Sequence, residues 1–147
     1  MKVYFDTNVL IAALREDHIH HAGSFAAFQK VIAGKVEGLV TAQGLAEVYS
    51  VVTRAPFAAP VHPGEAWAMI DESILPAFTI LAIKVEDYLA AIAACAGAGW
   101  RGGRVHDAVH IEAAKQAGCD LIYTYDVAHF RALAPNWAER IVTPPEL

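Results

Sequence analysis

Cysteine is nearly absent from this chain: two in 147 residues, Cys95 and Cys119, with neither a CxxC spacing nor a disulfide framework. Such usage fits reduced thiols in a cytosol, and Cys119, just ahead of a strand-like run, reads as packing. No apolar run approaches the roughly 18 residues needed to cross a bilayer. The charged start of the chain passes at once into strand-like residues and not into the apolar core of an export signal. Both absences point to a cytoplasmic protein without a membrane segment. Charged residues are scarce as well, at 18% against 56% hydrophobic, which argues against disorder. Positive charge is the scarcer sign, with 11 Lys and Arg against 16 Asp and Glu, and the net −5 ordinarily speaks against a nucleic-acid partner. There is no internal repeat, low-complexity tract or long linker, so residues 1–147 are expected to form a single domain. At this size folding buries roughly 70% of the exposable surface.

What is present is an alternation of short apolar runs and helical spacings. Residues 3–5 read as a first strand and 9–14 as the start of a helix. Residues 21–36 continue as a helix with Phe25, Phe28, Val31 and Ile32 on one face. Behind Gly38, residues 39–41 form a short second strand. Residues 43–53 are helical, with Leu45, Val48 and Val52 turned inward. Residues 55–63 hold three prolines and read as a loop, and 64–75 as a helix that Pro76 helps to end. A third strand is expected at 78–83, then a helix at 85–96 closed by the glycines around Trp100. Residues 105–117 form the clearest late helix, ended by Gly118. A fourth strand at 121–124, a helical turn at 128–133 and a fifth strand at 141–142 complete the reading. Strands separated by helices require crossover connections. The expected class is therefore α/β, a three-layer α/β/α arrangement around a central, mainly parallel sheet of four or five strands.

Four acids occupy related places in this scheme. Asp6 ends the first strand, in Asp6-Thr7-Asn8, where the carboxyl edge of an open α/β sheet collects ligands. Glu47 lies one turn into its helix with the reach to turn inward. Asp107 stands in the first turn of its helix, at the positive end of the dipole, and Asp126 follows the fourth strand. Four carboxylates gathered from separate elements repel one another unless a cation sits among them. Oxygen donors of this kind suit a hard ion, Mg²⁺ or Mn²⁺. Without those four the net charge of −5 would be −1, so a metal cup accounts for most of the acidity and removes the veto on a phosphodiester substrate.

The order and local wording of these segments resemble the PIN-domain ribonucleases, and among them the VapC-type toxins of bacterial toxin–antitoxin pairs. VYFDTNVLIAAL resembles the family's opening strand, TAQGLAEVYSVVTR its second motif, VHDAVHIEAAKQAG its third and DLIYTYDVAHF its fourth. The resemblance covers almost the whole chain, and its specificity lies in the order of the motifs. It implies a PIN-like fold in which Asp6, Glu47, Asp107 and Asp126 are the catalytic, metal-binding acids, with Asn8 and Thr124 beside the site. It also implies a Mg²⁺ or Mn²⁺ cofactor, hydrolysis of RNA by water to leave 5′-phosphate ends, a homodimer, and inhibition by a cognate antitoxin. Tyr125, beside the fourth acid, departs from the smaller or polar neighbour expected there.

Other residues carry weaker signals. Arg101 and Arg104, flanking Gly102-Gly103, are placed to bind the phosphates of a substrate, and Trp100 between them and the preceding helix could stack on a base. His18, His20 and His21 read as a solvated helix start. His106 and His110 share a helix face, but the histidine donor favours a softer metal, and His129 lies where it could meet RNA. Trp67 and Trp137 read as core or interface residues. The apolar stretches 42–52 and 89–98 are expected to pack in the core, with enough apolar surface left for a homodimer face or an antitoxin groove. Three other functions compete: a catalytically silent PIN-like domain that binds RNA or protein, a phosphoacceptor receiver domain, and a histidine-based ribonuclease. The receiver reading lacks its early acidic pair and its late lysine.

Overall fold

The computed structural model describes residues 1–54 and 59–145. Residues 55–58 of the expected proline loop lie outside the described part. Among the described residues the strands are β1 (Lys2–Phe5), β2 (Glu37–Thr41), β3 (Thr79–Leu81), β4 (Leu121–Tyr123) and β5 (Ile141–Val142). They form one sheet in the order β3-β2-β1-β4-β5, with every pairing parallel. Tyr4 on the central strand stands opposite Leu39 on one side and Ile122 on the other. The helices are α1 (Thr7–Leu14), α2 (His21–Ile32), α3 (Ala42–Val52), α4 (Pro63–Met69), α5 (Val85–Ala98), α6 (Arg104–Gln116) and α7 (Val127–Leu133). No helix among the described residues is long and apolar enough to cross a membrane.

Both faces of the sheet are covered, which is why its strands read as unbroken apolar runs. Successive side chains alternate between two cores. Val3, Phe5, Val40 and Tyr123 point into the larger one, with α1 to α4 and Phe78. Tyr4, Leu39, Ile122 and Ile141 point into the second, with Ile111 of α6 and Phe130 of α7. The expected α/β class with a parallel sheet is thus the observed one, with the larger strand number.

Several boundaries differ from the sequence reading. α2 stops at Ile32 and not near 36, because Gly34 takes φ +67° and the Lys35 N–H closes onto Lys30 O, a left-handed cap. Its buried face is Ser24, Ala27, Phe28 and Val31, so Phe25 and Ile32 are exposed. The helix expected over 64–75 is two pieces, α4 and a π-helical turn at Ile70–Ile74. The third strand is only three residues, and Phe78 enters the core ahead of it. Along α5 only Ala91, Cys95 and Asp87 are buried, while Val85, Tyr88, Leu89 and Ile92 form an exposed stripe at helical spacing. Much of that expected core segment therefore faces outward. Trp67 is exposed and not core, whereas Trp137 packs against the second cluster.

Gly38 lets β2 approach α2. A Cβ there would stand 2.7 Å from both Phe78 and Val31 side-chain carbons, closer than carbon atoms tolerate. Gly38→Ala is expected to destabilise the fold by about 1–3 kcal/mol through overpacking, read as a lowered midpoint in urea unfolding. An unchanged midpoint would show that Phe78 simply moves aside.

The chain leaves β1 in one direction for β2 and β3, then returns to the other side for β4 and β5. This reversal opens a crevice beyond the carboxyl ends of β1 and β4, the place where open α/β sheets bind ligands. The Asp6 N–H closes the ladder there, donating to Tyr123 O at 2.9 Å.

Candidate functional site

Asp6 is the first residue past β1 and caps α1, with Oδ1 accepting the Thr7 N–H at 2.8 Å. Its Oδ2 accepts the Thr124 hydroxyl at 2.7 Å. Burial pushes its carboxyl up to about 6, even though the Thr124 and Thr7 hydrogen bonds and the facing His110 pull downward, and Asp107 adds to the rise. Thr124, fully buried just past β4, ties the edge together. Besides donating to Asp6 it accepts the Asp126 N–H at 3.0 Å and faces Asn8 Nδ2 at 3.5 Å. Asn8 in turn donates to Asp126 Oδ2 at 3.2 Å and accepts the Tyr125 N–H at 3.3 Å. Asn8 and Thr124 are therefore braces that connect the first and fourth acids.

Glu47 arrives from α3, whose start is capped by Thr41 Oγ1 accepting the Gly44 N–H at 2.9 Å. Its Oε2 accepts the Thr7 hydroxyl at 2.7 Å, and His110 Nε2 lies 3.0 and 3.2 Å from its two oxygens. Burial alone would raise this carboxyl, but the bond and charge of His110, with Thr7, hold it below the usual carboxylate range. Asp107, half-buried on α6, is pushed up by burial and then by the charges of Asp126 and Glu47. The carboxylates of all four acids line one cavity of about 320 Å³, together with Thr7 and Asn8.

His110 is the site-edge residue that sequence reasoning undervalued. It lies three residues after Asp107, on the same side of α6, and is buried. Its Nδ1 meets the Tyr4 hydroxyl at 2.7 Å and Thr41 Oγ1 at 3.1 Å. Burial opposes its protonation, but Glu47, Asp6 and Asp107 outweigh that and raise its pKa. Burial also holds Tyr4 in its phenol form, far above the usual range. With Nε2 carrying its proton, the ring donates to Glu47 and braces that carboxylate from behind. The sequence signal for this role is the three-residue spacing from Asp107 to His110, which puts both on one side of α6.

The remaining candidates are more scattered. Arg101 is exposed, and the Arg104 guanidinium lies 4.3 Å over the Trp100 ring at the start of α6. Neither arginine lines the carboxylate cavity. Trp100 is half-buried, and its Nε1 lacks a hydrogen-bond partner among the described residues. The three histidines after α1 are not uniformly solvated: His18 lines the carboxylate cavity and His21 Nδ1 bonds Ala12 O at 2.9 Å. Tyr125, the departure noted in the sequence, is turned aside, its hydroxyl 2.7 Å from Ser24 Oγ.

An all-oxygen donor set of this kind fits a hard divalent ion. Burial raises the carboxyls of both Asp6 and Asp107, so keeping either one ionised favours an added cation. Among the described residues, however, no three Asp, Glu, His or Cys groups stand close enough to form a ready ligand set. The acids are instead satisfied by hydrogen-bond donors, Glu47 by Thr7 and His110, and Asp126 by Asn8. Asp6, Glu47, Asp107 and Asp126, which line the cavity, are the residues that would hold such an ion.

Comparison with known proteins bears on the same fold. The toxin VapC20 of Mycobacterium tuberculosis, described as cleaving the sarcin-ricin loop, superposes with a TM-score of 0.67 at 16% identity, over 88% of this chain and 94% of its own. The FitAcB structure from Neisseria gonorrhoeae gives 0.66 at 22% identity, over 96% of each chain. VapBC2 of Rickettsia felis, solved bound to a DNA fragment from their promoter, gives 0.68 at 14% identity over 97% of each. A search of curated protein sequences gives no match. The PIN domain family model matches residues 3–135, nearly the whole length over which the sheet and its acids are built. The chain belongs to the PIN domain family.

Proposed function

We propose that this protein is a metal-dependent endoribonuclease that hydrolyses RNA phosphodiester bonds, the toxin of a type II toxin–antitoxin pair. The observation that carries the reading is the convergence of Asp6, Glu47, Asp107 and Asp126, from four separate elements, on one cavity at the switch point of a PIN fold. In this reading the four acids hold Mg²⁺ or Mn²⁺, which when bound would neutralise the phosphate and activate a water. Thr124 and Asn8 keep the first and fourth carboxylates at a fixed spacing. His110 orients Glu47, and Tyr4 and Thr41 hold the imidazole. Arg101 and Arg104, six and three residues before Asp107, supply cations for the phosphates of the approaching strand.

The likeness to VapC20 supports RNA as substrate, and the likeness to VapBC2 and FitAcB supports an antitoxin partner. The exposed stripe Val85, Tyr88, Leu89 and Ile92 supplies apolar surface for a protein contact, in line with a homodimer. A cytoplasmic location suits such an RNA target.

The test is cleavage of total cellular RNA by the purified protein in Mg²⁺ or Mn²⁺, with ends mapped by sequencing, beside lanes carrying EDTA or Asp107→Asn. Discrete cuts bearing 5′-phosphates, lost in both controls, are the expected result. The competing reading is a silent binding domain, favoured by the absence of a ready ligand set among the described residues. It predicts RNA or protein binding without turnover. Cuts that survive EDTA would instead favour histidine chemistry.

His110→Gln is expected to lower Mn²⁺ affinity and cleavage together by roughly 10–100-fold, the usual effect of losing a residue that orients a metal ligand. Titration calorimetry with Mn²⁺ checks it, and an affinity equal to wild type would reduce His110 to packing.

A further inference from the structure

A second cavity, of about 330 Å³, lies beyond Tyr125, lined by Ile19, His20, Ala22, Gly23, Thr143 and Pro144. It is joined to the carboxylates by two runs of residues. Asp126 lines the carboxylate cavity and also a small depression shared with Tyr125, and Tyr125 lines the second cavity. His18 lines the first cavity and His20 the second, their rings 5.8 Å apart.

At the junction the His20 and Tyr125 rings are stacked, with centroids 4.1 Å apart and planes 12° from parallel. The pair is held in place. The Tyr125 hydroxyl meets Ser24 Oγ at 2.7 Å and donates to His20 O at 3.3 Å, and the Tyr125 N–H bonds Asn8. Ser24 is a buried polar residue on α2 whose hydroxyl, among the described residues, meets that of Tyr125, so the helix is built around the tyrosine.

We propose that this cavity is the subsite for one nucleobase of the RNA, next to the scissile phosphate, with the His20–Tyr125 pair as its stacking platform. The proposal rests on the nuclease reading above. Among the described residues the lining contains no Lys, Arg, Asp or Glu, so they bring no full charge to a phosphate. It offers a flat aromatic pair, small apolar side chains and a hydroxyl, which is what a base requires. Its volume lies at the small end of ligand pockets, roughly 300–1,000 Å³, the scale of a single base. A strand crossing the carboxylates therefore has a place for its neighbouring base within one or two residues of Asp126.

Gly23 keeps the cavity open. It lies on α2, and among the described residues a Cβ there would meet Pro145 O at 3.5 Å and the Tyr125 hydroxyl at 4.0 Å, so a methyl is accommodated and a longer side chain takes up the space beside the tyrosine. The test compares wild type, His20→Ala, Gly23→Ala and Gly23→Leu in Mn²⁺ on an RNA that the wild type cuts. A series of that RNA carries one abasic nucleotide at each position around the cut. An abasic residue at one adjacent position should lower the wild-type kcat/KM by about 10–100-fold, the range for losing a base stack. His20→Ala and Gly23→Leu should suffer a similar loss on intact RNA and little further loss on that abasic RNA, with Mn²⁺ affinity unchanged. His20 is exposed, so its variant keeps the test valid if the leucine variant does not fold, and Gly23→Ala is the milder filler.

The subsite is overturned if the variants cut intact RNA as the wild type does, or if their losses add to that of every abasic position. It is also overturned if Gly23→Leu cuts normally but escapes its antitoxin, which would make the cavity a protein site. A wild type that cuts no RNA defeats the nuclease reading itself, and the subsite with it.

Discussion

Asp6→Asn is expected to abolish cleavage, by about a thousandfold or more, while making the metal-free protein more stable at neutral pH. A thousandfold corresponds to about 4 kcal/mol of barrier, a reasonable loss for a buried carboxylate proposed to contact the ion. The gain in stability follows from the same burial. A carboxyl moved from 3.8 to about 6 carries a penalty, when ionised, on the order of 3 kcal/mol. Asparagine has no charge to desolvate, and its amide oxygen can still accept the Thr7 N–H. It disturbs the Thr124 hydroxyl, a loss of about 1 kcal/mol. The balance is a gain of about 1–2 kcal/mol and several degrees in Tm, measured in EDTA. An inactive variant that also melts well below wild type would make Asp6 a structural cap, and a fully active one would remove it from the site.

Metal affinity should fall steeply in mild acid. Because the folded-state pKa of Asp6 lies above its ordinary value, the fold retains a proton that the unfolded chain has lost between about pH 4 and 6. Stability of the metal-free protein therefore declines as pH rises through that window and stays lower above it. An incoming divalent ion must displace the same proton. Mn²⁺ binding is thus expected to weaken about tenfold per pH unit below about 6, and more steeply if Asp107, also raised, joins in. Calorimetry at pH 5, 6 and 7.5, in buffers of different ionisation enthalpy, would read both the affinity and the released proton. Affinity that is flat across this range would mean the ion does not touch Asp6.

The alternation of apolar runs with helical spacing sufficed to read the parallel sheet, because strands buried on both faces leave continuous signals such as Val3-Tyr4-Phe5. Asp6, Asp107 and Asp126 were legible because each follows such a run or opens a helix, and Glu47 because it lies one turn into a helix that follows one. Helix ends were less legible where small residues decided them. Gly34 was visible, yet Val36 beyond it continued the apolar pattern and masked the cap. Phe25 and Ile32 looked interior by size, whereas the helix buries Ser24 and Ala27 instead. Ser24 is buried because Tyr125, 101 residues away, needs a hydroxyl partner, and no local pattern encodes that. His110 was obscured for a similar reason: its partners Tyr4, Thr41 and Glu47 come from three other elements.

The central position of β1 also sets the time at which the site can exist during synthesis. Asp6 is made long before its Thr124 partner, 118 residues later, and before the β4 edge that shapes the crevice. Contacts of such sequence separation form late and slowly. A nascent chain that has emerged only as far as α6 carries three of the four acids, with one flank of β1 still unpaired. Thr124 and Asp126 are the last members to arrive, so the cup closes only after β4 has followed α6 out of the ribosome. The order of strands thereby acts as a clock: whatever this cavity does, it cannot do before β4 is in place.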